Sequence, residues 1–201
     1  MIDLYKTIKS DSEGIFKAKG SKFLAFAYPV SSEQAIREKL AALRKEYHDA
    51  RHHCYAWRLE PEMTHYRAND DGEPSGSAGK PIYGQIVSRD LSDLLIVVVR
   101  YFGGTLLGVG GLINAYRLAA SDALDHNQII ECKVYDHLRV EFGYERMNTV
   151  MKVIKDNKLD FEDQQFDMDC TLSLKVWKRK TERVLDSFSK ITQCKITLIE
   201  E

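Results

Sequence analysis

Five glycines lie within nine residues of the segment 103–111, GGTLLGVGG, and form the first candidate site. Glycine lets the backbone approach a ligand closely, and the start of a helix offers unpaired N–H groups and a positive dipole end to an anion. The segment matches neither the dinucleotide-binding fingerprint nor a P-loop. It predicts either a phosphate-binding loop or a tight strand–helix turn whose glycines permit packing. The glycines concerned are Gly103, Gly104, Gly108, Gly110 and Gly111.

Three carboxylates precede a second glycine-containing segment. Asp70, Asp71 and Glu73 lie in NDDGEP (69–74), and GSAGKP (76–81) follows with Lys80 where an anion would bind at a helix start. Carboxylates bind Mg²⁺ and can act as acid and base. Two interpretations stay open, namely a metal–phosphate arrangement and a solvated turn built on the Asp-Gly pair.

The segment RHHCYAW (51–57) contains residue types that bind metals. On a strand, however, His52 and Cys54 face one side of the sheet and His53 faces the other, so these three side chains cannot meet at one ion. We therefore predict no metal site and no cofactor. Arg51 and His52 are interpreted as part of a polar-edged strand that lines a cleft.

Arg100 ends an apolar run, directly before Tyr101. A charge at the end of a buried strand is seldom unpaired, so Arg100 either pairs with a carboxylate or points into the cleft as an anion ligand. Two further groups of cations are the best local patches for a phosphate backbone. They are Lys17, Lys19 and Lys22 at a predicted hairpin turn, and Lys178, Arg179 and Lys180 at a predicted helix start.

Hydrophobic periodicity predicts the elements that position these residues. In the first part of the chain we predict two strands around a Lys19-Gly20 turn within 15–30, a helix over 32–47, a strand over 52–59, a loop over 61–79, a helix over 81–88, a strand over 94–101, a glycine loop over 103–111 and a helix over 111–125. The later part predicts strand 132–142, helix 144–157, strands 159–166 and 168–177, helix 181–190 and strand 193–199. That order is the ferredoxin-like β-α-β-β-α-β arrangement.

Charge and hydropathy restrict the classes of function. The 201 residues include 29 basic and 30 acidic ones, so a nucleic-acid site must be a local patch rather than a broad basic face. The longest apolar run, Leu94–Val99, is far shorter than the roughly 20 residues of a membrane helix. The first residues lack the basic and apolar segments of a signal peptide. We expect a cytoplasmic protein without a membrane partner.

Three segments together resemble the signatures of the YigZ/IMPACT family. They are RHHCYAW (51–57), NDDGEPSGSAGKP (69–81) and VVVRYFGGTLLGVGGLINAY (97–116), and the Lys19-x-Ser21-Lys22-Phe23 segment is similar to the family's first motif. The resemblance implies an α+β protein of two domains. Residues 1–129 would share the fold of the second domain of a small-subunit ribosomal protein, and residues 130–201 would form a ferredoxin-like βαββαβ domain similar to the fifth domain of elongation factor G.

Both folds recur in translation and RNA-handling proteins. The resemblance therefore implies a protein that binds RNA or a ribosome-associated partner, with a role in translation regulation. The cleft would be built from Arg51, His52, Asp70, Asp71, Glu73, Lys80, Arg100 and the glycine loop. No enzymatic activity is firmly attached to the family, so binding is favoured over catalysis and no catalytic residue is predicted. Two alternatives stay open: a Mg²⁺-dependent enzyme acting on a small phosphorylated substrate or nucleotide, and a protein-interaction module whose motifs only preserve a fold.

Overall fold

The computed structural model describes residues 2–60, 64–166 and 169–199. The chain divides into two compact units, one formed by Tyr5–Cys132 and the other by Met1–Leu4 together with Lys133–Glu201. Each unit has its own buried apolar core. Within the described ranges, no helix combines the length and the apolar character needed to cross a membrane.

The larger unit is built on a five-stranded antiparallel sheet in the order β2-β3-β6-β4-β5, while β1 pairs separately with β7. The strands are β1 (Leu4–Ile8), β2 (Ser12–Ala18), β3 (Ser21–Pro29), β4 (His52–Leu59), β5 (His65–Asn69), β6 (Leu94–Tyr101) and β7 (Ile129–Lys133). The helices are α1 (Glu33–Glu46), α2 (Gly79–Ser88) and α3 (Gly108–Asp125).

Helices cover both faces of this sheet. Residues of α2 and α3 share one core with Cys54, Ile96 and Val98, whereas α1 shares a second core with Trp57 and Val97. Strand β6 lies in the middle of the sheet and is buried on both faces, as its unbroken apolar run predicts. The predicted alternation of β4 is also confirmed, because its successive side chains enter the two cores in turn.

The hairpin around Lys19-Gly20 is confirmed. Both turn residues have positive φ angles, 46° and 79°, which match the two-residue turns that join twisted antiparallel strands. The turn connects β2 to β3, and β3 pairs with β6 from Lys22 to Pro29. Lys17 and Lys22 beside this turn therefore lie close to the end of β6.

Several predicted boundaries are wrong. Strand β5 lies inside the predicted loop 61–79, of which residues 61–63 are outside the described residues. It is a short edge strand with mostly polar residues, so it carries no periodic apolar signal. Helix α3 begins at Gly108 rather than at residue 111, which places three of the five loop glycines in the helix. The predicted strand 132–142 is two strands, β7 and a following strand, and β1 was not predicted.

The smaller unit confirms the predicted order β-α-β-β-α-β. Its elements are β8 (Tyr135–Gly143), α4 (Met147–Asn157), β9 (Asp160–Phe166), β10 (Asp169–Trp177), α5 (Thr181–Ser189) and β11 (Cys194–Ile199). The antiparallel sheet has the order β11-β8-β10-β9, and α4 and α5 pack on one of its faces. Residue 168, predicted to begin a strand, lies outside the described residues. The α+β class predicted for the chain is confirmed.

Candidate functional site

The neighbouring ends of β4 and β6 bring three predicted site residues together. His52 of β4 pairs with Arg100 of β6, and Arg51 directly precedes β4. The three side chains line a cleft of about 650 Å³. The complete lining is Asp49, Ala50, Arg51, His52, Arg100, Tyr101, Phe102 and Leu106. Leu106 belongs to the glycine-rich segment, so this segment also borders the cleft.

A second hollow of about 450 Å³ shares Tyr101 and Phe102 with the first. It is lined by Ile15, Lys17, Gly20, Lys22, Leu24, Tyr47, Tyr101 and Phe102. We call the two hollows together, with the lining residues given for each, the basic groove. Phe102 lies between them with 54% of its surface exposed.

Positive charge dominates the lining of the basic groove. Four lysine and arginine side chains contribute to it, together with His52, against one carboxylate. That carboxylate, Asp49, accepts a hydrogen bond of 2.7 Å from the Tyr101 hydroxyl. This bond lowers the pKa of the Asp49 carboxyl and raises the pKa of Tyr101 to about 12. A chain with a net charge of −1 therefore carries a local cationic surface.

Arg100 both pairs with a carboxylate and lines the groove. Its Nη1 donates a 2.6 Å hydrogen bond to Oε1 of Glu73, and the two side chains are only 7% and 3% exposed. Its guanidinium lies 5.4 Å from the ring centre of Phe23 and 5.6 Å from that of Phe102. Within the described residues its buried Nε has no hydrogen-bond partner. The predicted carboxylate partner of Arg100 is therefore present, and the side chain also forms part of the cleft wall.

Glu73 also belongs to a buried polar chain. The Tyr116 hydroxyl of α3 donates to the same Glu73 oxygen over 2.7 Å, and the Cys54 thiol lies 3.3 Å from the Tyr116 oxygen. Burial raises the pKa of Cys54 to about 12 and that of Tyr116 further still, so both groups stay protonated at neutral pH. The Glu73 carboxylate is therefore directed into the protein and anchors its loop to α3.

Asp70 caps α2 from a distance in the sequence. Its carboxylate accepts hydrogen bonds of 2.8 to 3.0 Å from the backbone amides of Gly76, Ala78 and Gly79. Burial alone would raise the pKa of Asp70, but these bonds hold it below its usual value. The helix start that the sequence offers to an external anion is thus occupied by the protein's own carboxylate. Lys80 is exposed in the first turn of α2 and is not part of the groove lining.

Asp71 orients the residues at the start of β4. One of its carboxylate oxygens accepts from the backbone amide of His53 over 2.7 Å, and the other lies 3.3 Å from Nη2 of Arg44. Its backbone carbonyl lies 2.9 Å from Nδ1 of His52. Because a carbonyl oxygen can only accept, Nδ1 carries the hydrogen and Nε2 is the acceptor atom of the neutral His52 ring.

The geometry does not fit the metal–phosphate interpretation. Asp70, Asp71 and Glu73 each use their oxygens on amides or side chains of the protein. Throughout the described ranges, no group of three or more histidines, cysteines or carboxylates could hold a metal ion. The acidic segment instead supports the groove, since it fixes Arg100 and the ring of His52 from behind.

The loop glycines divide into two kinds. A Cβ on Gly103 would lie 2.0 Å from the backbone carbon of Gly20, so Gly103 is needed for packing against the hairpin turn. Gly104 and Gly108 have φ angles of 83° and 73°, and Gly110 has open space around the position of a Cβ. No side chain caps the start of α3, and its first three residues are exposed. This exposed helix start adjoins Leu106 and the cleft.

The comparisons with known proteins agree with the resemblance of the motifs. The family model described as Impact N-terminal domain matches residues 19–124. The IMPACT family member YvyE of Bacillus subtilis is 29% identical over 200 residues, which cover 100% of this chain and 92% of its own. The IMPACT family member YigZ of Escherichia coli is 39% identical over 108 residues, or 53% of each chain. The chain belongs to the IMPACT family.

A solved structure shares the architecture of the whole chain. It is titled as the crystal structure of a hypothetical protein, has a TM-score of 0.79 and 25% sequence identity, and is matched over 100% of both chains. Among eukaryotes, a protein of Saccharomyces cerevisiae named Protein IMPACT homolog is 34% identical over 95 residues, which cover 45% of this chain and 36% of its own.

The structure thus brings together part of the predicted site. Arg51, His52 and Arg100 line one cleft beside the glycine segment, whereas the three carboxylates lie behind it and Lys80 lies elsewhere. Phe102 was missed as a site residue, although its place directly after a buried strand was a usable signal. The sequence gives no indication of the hydrogen bond between Tyr116 and Glu73, because Tyr116 lies within the apolar stripe of α3 and resembles an ordinary core residue.

Proposed function

We propose that this protein binds single-stranded RNA in the basic groove and acts in the cytoplasm as a regulator of translation rather than as an enzyme. One observation carries the proposal: an exposed aromatic ring, Phe102, separates two hollows whose walls carry lysine, arginine and histidine. Sites for single strands combine a cationic path for the backbone with aromatic rings on which bases stack.

In this proposal each part of the groove would bind a different part of the RNA strand. Lys17 and Lys22 on one side of Phe102, and Arg51 on the other, would contact successive phosphates. The start of α3, where no side chain caps the helix and the first residues are exposed, would offer a favourable place for a phosphate oxygen. A base stacked on the outer face of Phe102 would have the Arg100 guanidinium beneath the ring.

A single strand fits these features better than a duplex. The bases of a helix are stacked and paired, and sequence-specific RNA recognition therefore uses loops and ends whose bases can stack on aromatic side chains. The groove offers one such ring between short cationic walls rather than a broad basic face. A protein bound to such strands would compete for them with other RNA-binding components of translation, and this competition would give it a regulatory role.

Fluorescence anisotropy of a labelled single-stranded oligoribonucleotide in about 50 mM salt tests the proposal. Removal of the ring in Phe102→Ala is expected to weaken binding by about 1–3 kcal/mol, the usual contribution of one stacked base. The substitutions Lys17→Ala and Arg51→Ala are each expected to reduce the slope of log affinity against log salt by about 0.7. Lys152→Ala, an exposed lysine of α4, is the matched control and should leave both quantities unchanged.

The absence of RNA binding in about 50 mM salt, or binding without a salt slope, would contradict the proposal. An affinity that Phe102→Ala leaves unchanged would also contradict it. Co-purification of a specific protein that resists nuclease treatment, with no RNA binding, would instead support the protein-interaction alternative.

A further inference from the structure

The two central strands of the smaller unit carry a pair of aromatic residues on the face away from its helices. Tyr135 of β8 is directly opposite Trp177 of β10 in the strand register. Their neighbours Leu138 and Val176 point to the other face and are buried in the core. Because side chains alternate along a strand, the two rings belong to the face that α4 and α5 leave uncovered.

Three cations surround these two rings. The ammonium of Lys175 lies 4.9 Å from the ring centre of Tyr135, and that of Lys133 lies 4.9 Å from the ring centre of Trp177. The guanidinium carbon of Arg179 lies 5.8 Å from the Trp177 ring centre. We call these five residues the aromatic–cation cluster. Except for the half-buried Trp177, all of its members are exposed.

The cluster has three cations, and among the residues that the structure describes the protein compensates only one of them with a nearby carboxylate. Glu162 contacts Lys175 at 3.7 Å but is closer to His137, at 2.9 Å. In the described part of the chain, neither Lys133 nor Arg179 forms an ion pair. The Trp177 ring is held in place by a 3.0 Å hydrogen bond from Nε1 to the backbone carbonyl of Asp3.

We propose that the aromatic–cation cluster is a second binding surface for single-stranded RNA. It lies in the other unit of the chain, and it shares the ligand class of the basic groove without depending on that groove. Bases would stack on Tyr135 and Trp177, while Lys133, Lys175 and Arg179 would bind the phosphates on either side. A four-stranded antiparallel sheet with aromatic residues on its open face is a common platform for single strands.

The cations that contact the rings do not prevent a base from stacking there. Lysine has a flexible four-carbon stem, so a base that stacks on Tyr135 can displace the Lys175 ammonium, which then reaches a phosphate of the same strand. An acidic peptide would satisfy the cations but would leave both rings without a stacking partner. The combination of two rings with three cations therefore favours RNA over an acidic peptide.

Tryptophan fluorescence of the full chain reports directly on this surface. Trp177 is half-buried within the cluster, whereas the other tryptophan, Trp57, is only 5% exposed in the core beneath α1 and serves as a constant background. Titration with a single-stranded oligoribonucleotide is expected to quench the emission, and Trp177→Phe should abolish the quenching. Tyr135→Ala is expected to raise the RNA concentration at half-quenching by about 5- to 150-fold. Tyr135→Phe, which keeps the ring, should leave it unchanged.

The charges are tested by the double substitution Lys175→Ala and Arg179→Ala. It should reduce the salt slope of the quenching midpoint by about 1.4, with Lys190→Ala of the same unit as the unchanged control. Phe102→Ala should leave the midpoint in place, so failure of the groove and failure of the cluster give different results. No quenching by RNA, equal quenching by polyglutamate, or a midpoint unaffected by Tyr135→Ala would each overturn the proposal.

Discussion

Glu73 controls the position of the most buried cation of the groove. Its carboxylate accepts hydrogen bonds from Arg100 at the end of β6 and from Tyr116 on α3. The burial of this ion pair has an energetic consequence: removing one charge of such a pair leaves the other without compensation in a medium of low polarity. Arg100 can remain beside Phe102 with little access to water because Glu73 neutralises it from behind.

The substitution Glu73→Gln should lower the free energy of unfolding by about 3–5 kcal/mol, the usual cost of breaking a buried ion pair. Tyr116→Phe removes one hydrogen bond to the same oxygen and no charge, so it should cost only about 1 kcal/mol. Urea unfolding of both variants measures the difference. Equal costs would show that the charge of Glu73 is unimportant to stability.

At the scale of elements, the glycine segment combines two structural needs. Gly103 lies against the β2–β3 turn, where even one carbon atom would collide with the backbone of Gly20. Gly110 lies in the first turn of α3, exposed and with open space at the Cβ position. The first glycine is required by packing. The second costs helix stability without a packing reason, which fits a surface that a ligand backbone approaches closely.

Two glycine substitutions in this segment should therefore have opposite effects. Gly103→Ala is expected to lower the free energy of unfolding by about 1–3 kcal/mol, since the hairpin turn must move. Gly110→Ala should raise it by about 0.5–1 kcal/mol, because alanine favours the helix. Thermal or urea unfolding measures both, and the anisotropy titration then shows whether Gly110→Ala weakens RNA binding. A stabilised variant with full affinity would assign Gly110 no role in binding.

At the scale of the molecule, the chain concentrates its charge locally while remaining close to neutral. The net charge is −1, and the cationic residues of the groove and of the aromatic–cation cluster belong to different compact units. Both surfaces are formed at strand ends, where sheet pairing brings together residues that are distant in sequence. Each unit is stabilised by buried apolar residues of its own.

The larger unit should lose stability in mild acid. Burial lowers the pKa of His53 below its ordinary 6.5, so the unfolded chain takes up a proton near that pH before the folded chain does. The free energy of unfolding should therefore decrease as the pH falls from about 7.5 to 5, by at most about 1.4 kcal/mol per pH unit for this one proton. At lower pH the free energy of unfolding should fall further because the pKa of Asp70 is lowered in the folded protein. Burial raises the pKa of Asp93, so protonation of Asp93 should partly offset this fall.

Urea unfolding at the two pH values measures this loss, with His53→Asn as the control. Asparagine can keep a hydrogen bond to the backbone of Tyr47, which His53 contacts, and it does not titrate. The variant should therefore lose less stability in acid than the parent chain. An identical pH dependence in both proteins would assign the acid effect to other groups.

The sequence by itself determined the elements with strong periodicity or strong turn chemistry. The buried strand β6, the hairpin at Lys19-Gly20 and the β-α-β-β-α-β order of the smaller unit were all predictable, because burial and turn geometry act on residues close together in the chain. The elements that the sequence did not predict lack such a local signal. Strand β5 is short, polar and at an edge, and β1 is a short strand that pairs with the distant β7.

Only the tertiary structure decided what the polar residues do. Asp70, Asp71 and Glu73 have the composition of a metal site, yet their partners on α2, α3, β4 and β6 turn all three into internal supports. A hydrogen bond or ion pair depends on distance in space, and here its partners are up to 43 residues apart in sequence. Residue types and spacing therefore predicted where chemistry could occur, and long-range pairing selected the cations and the exposed ring that remain available to a ligand.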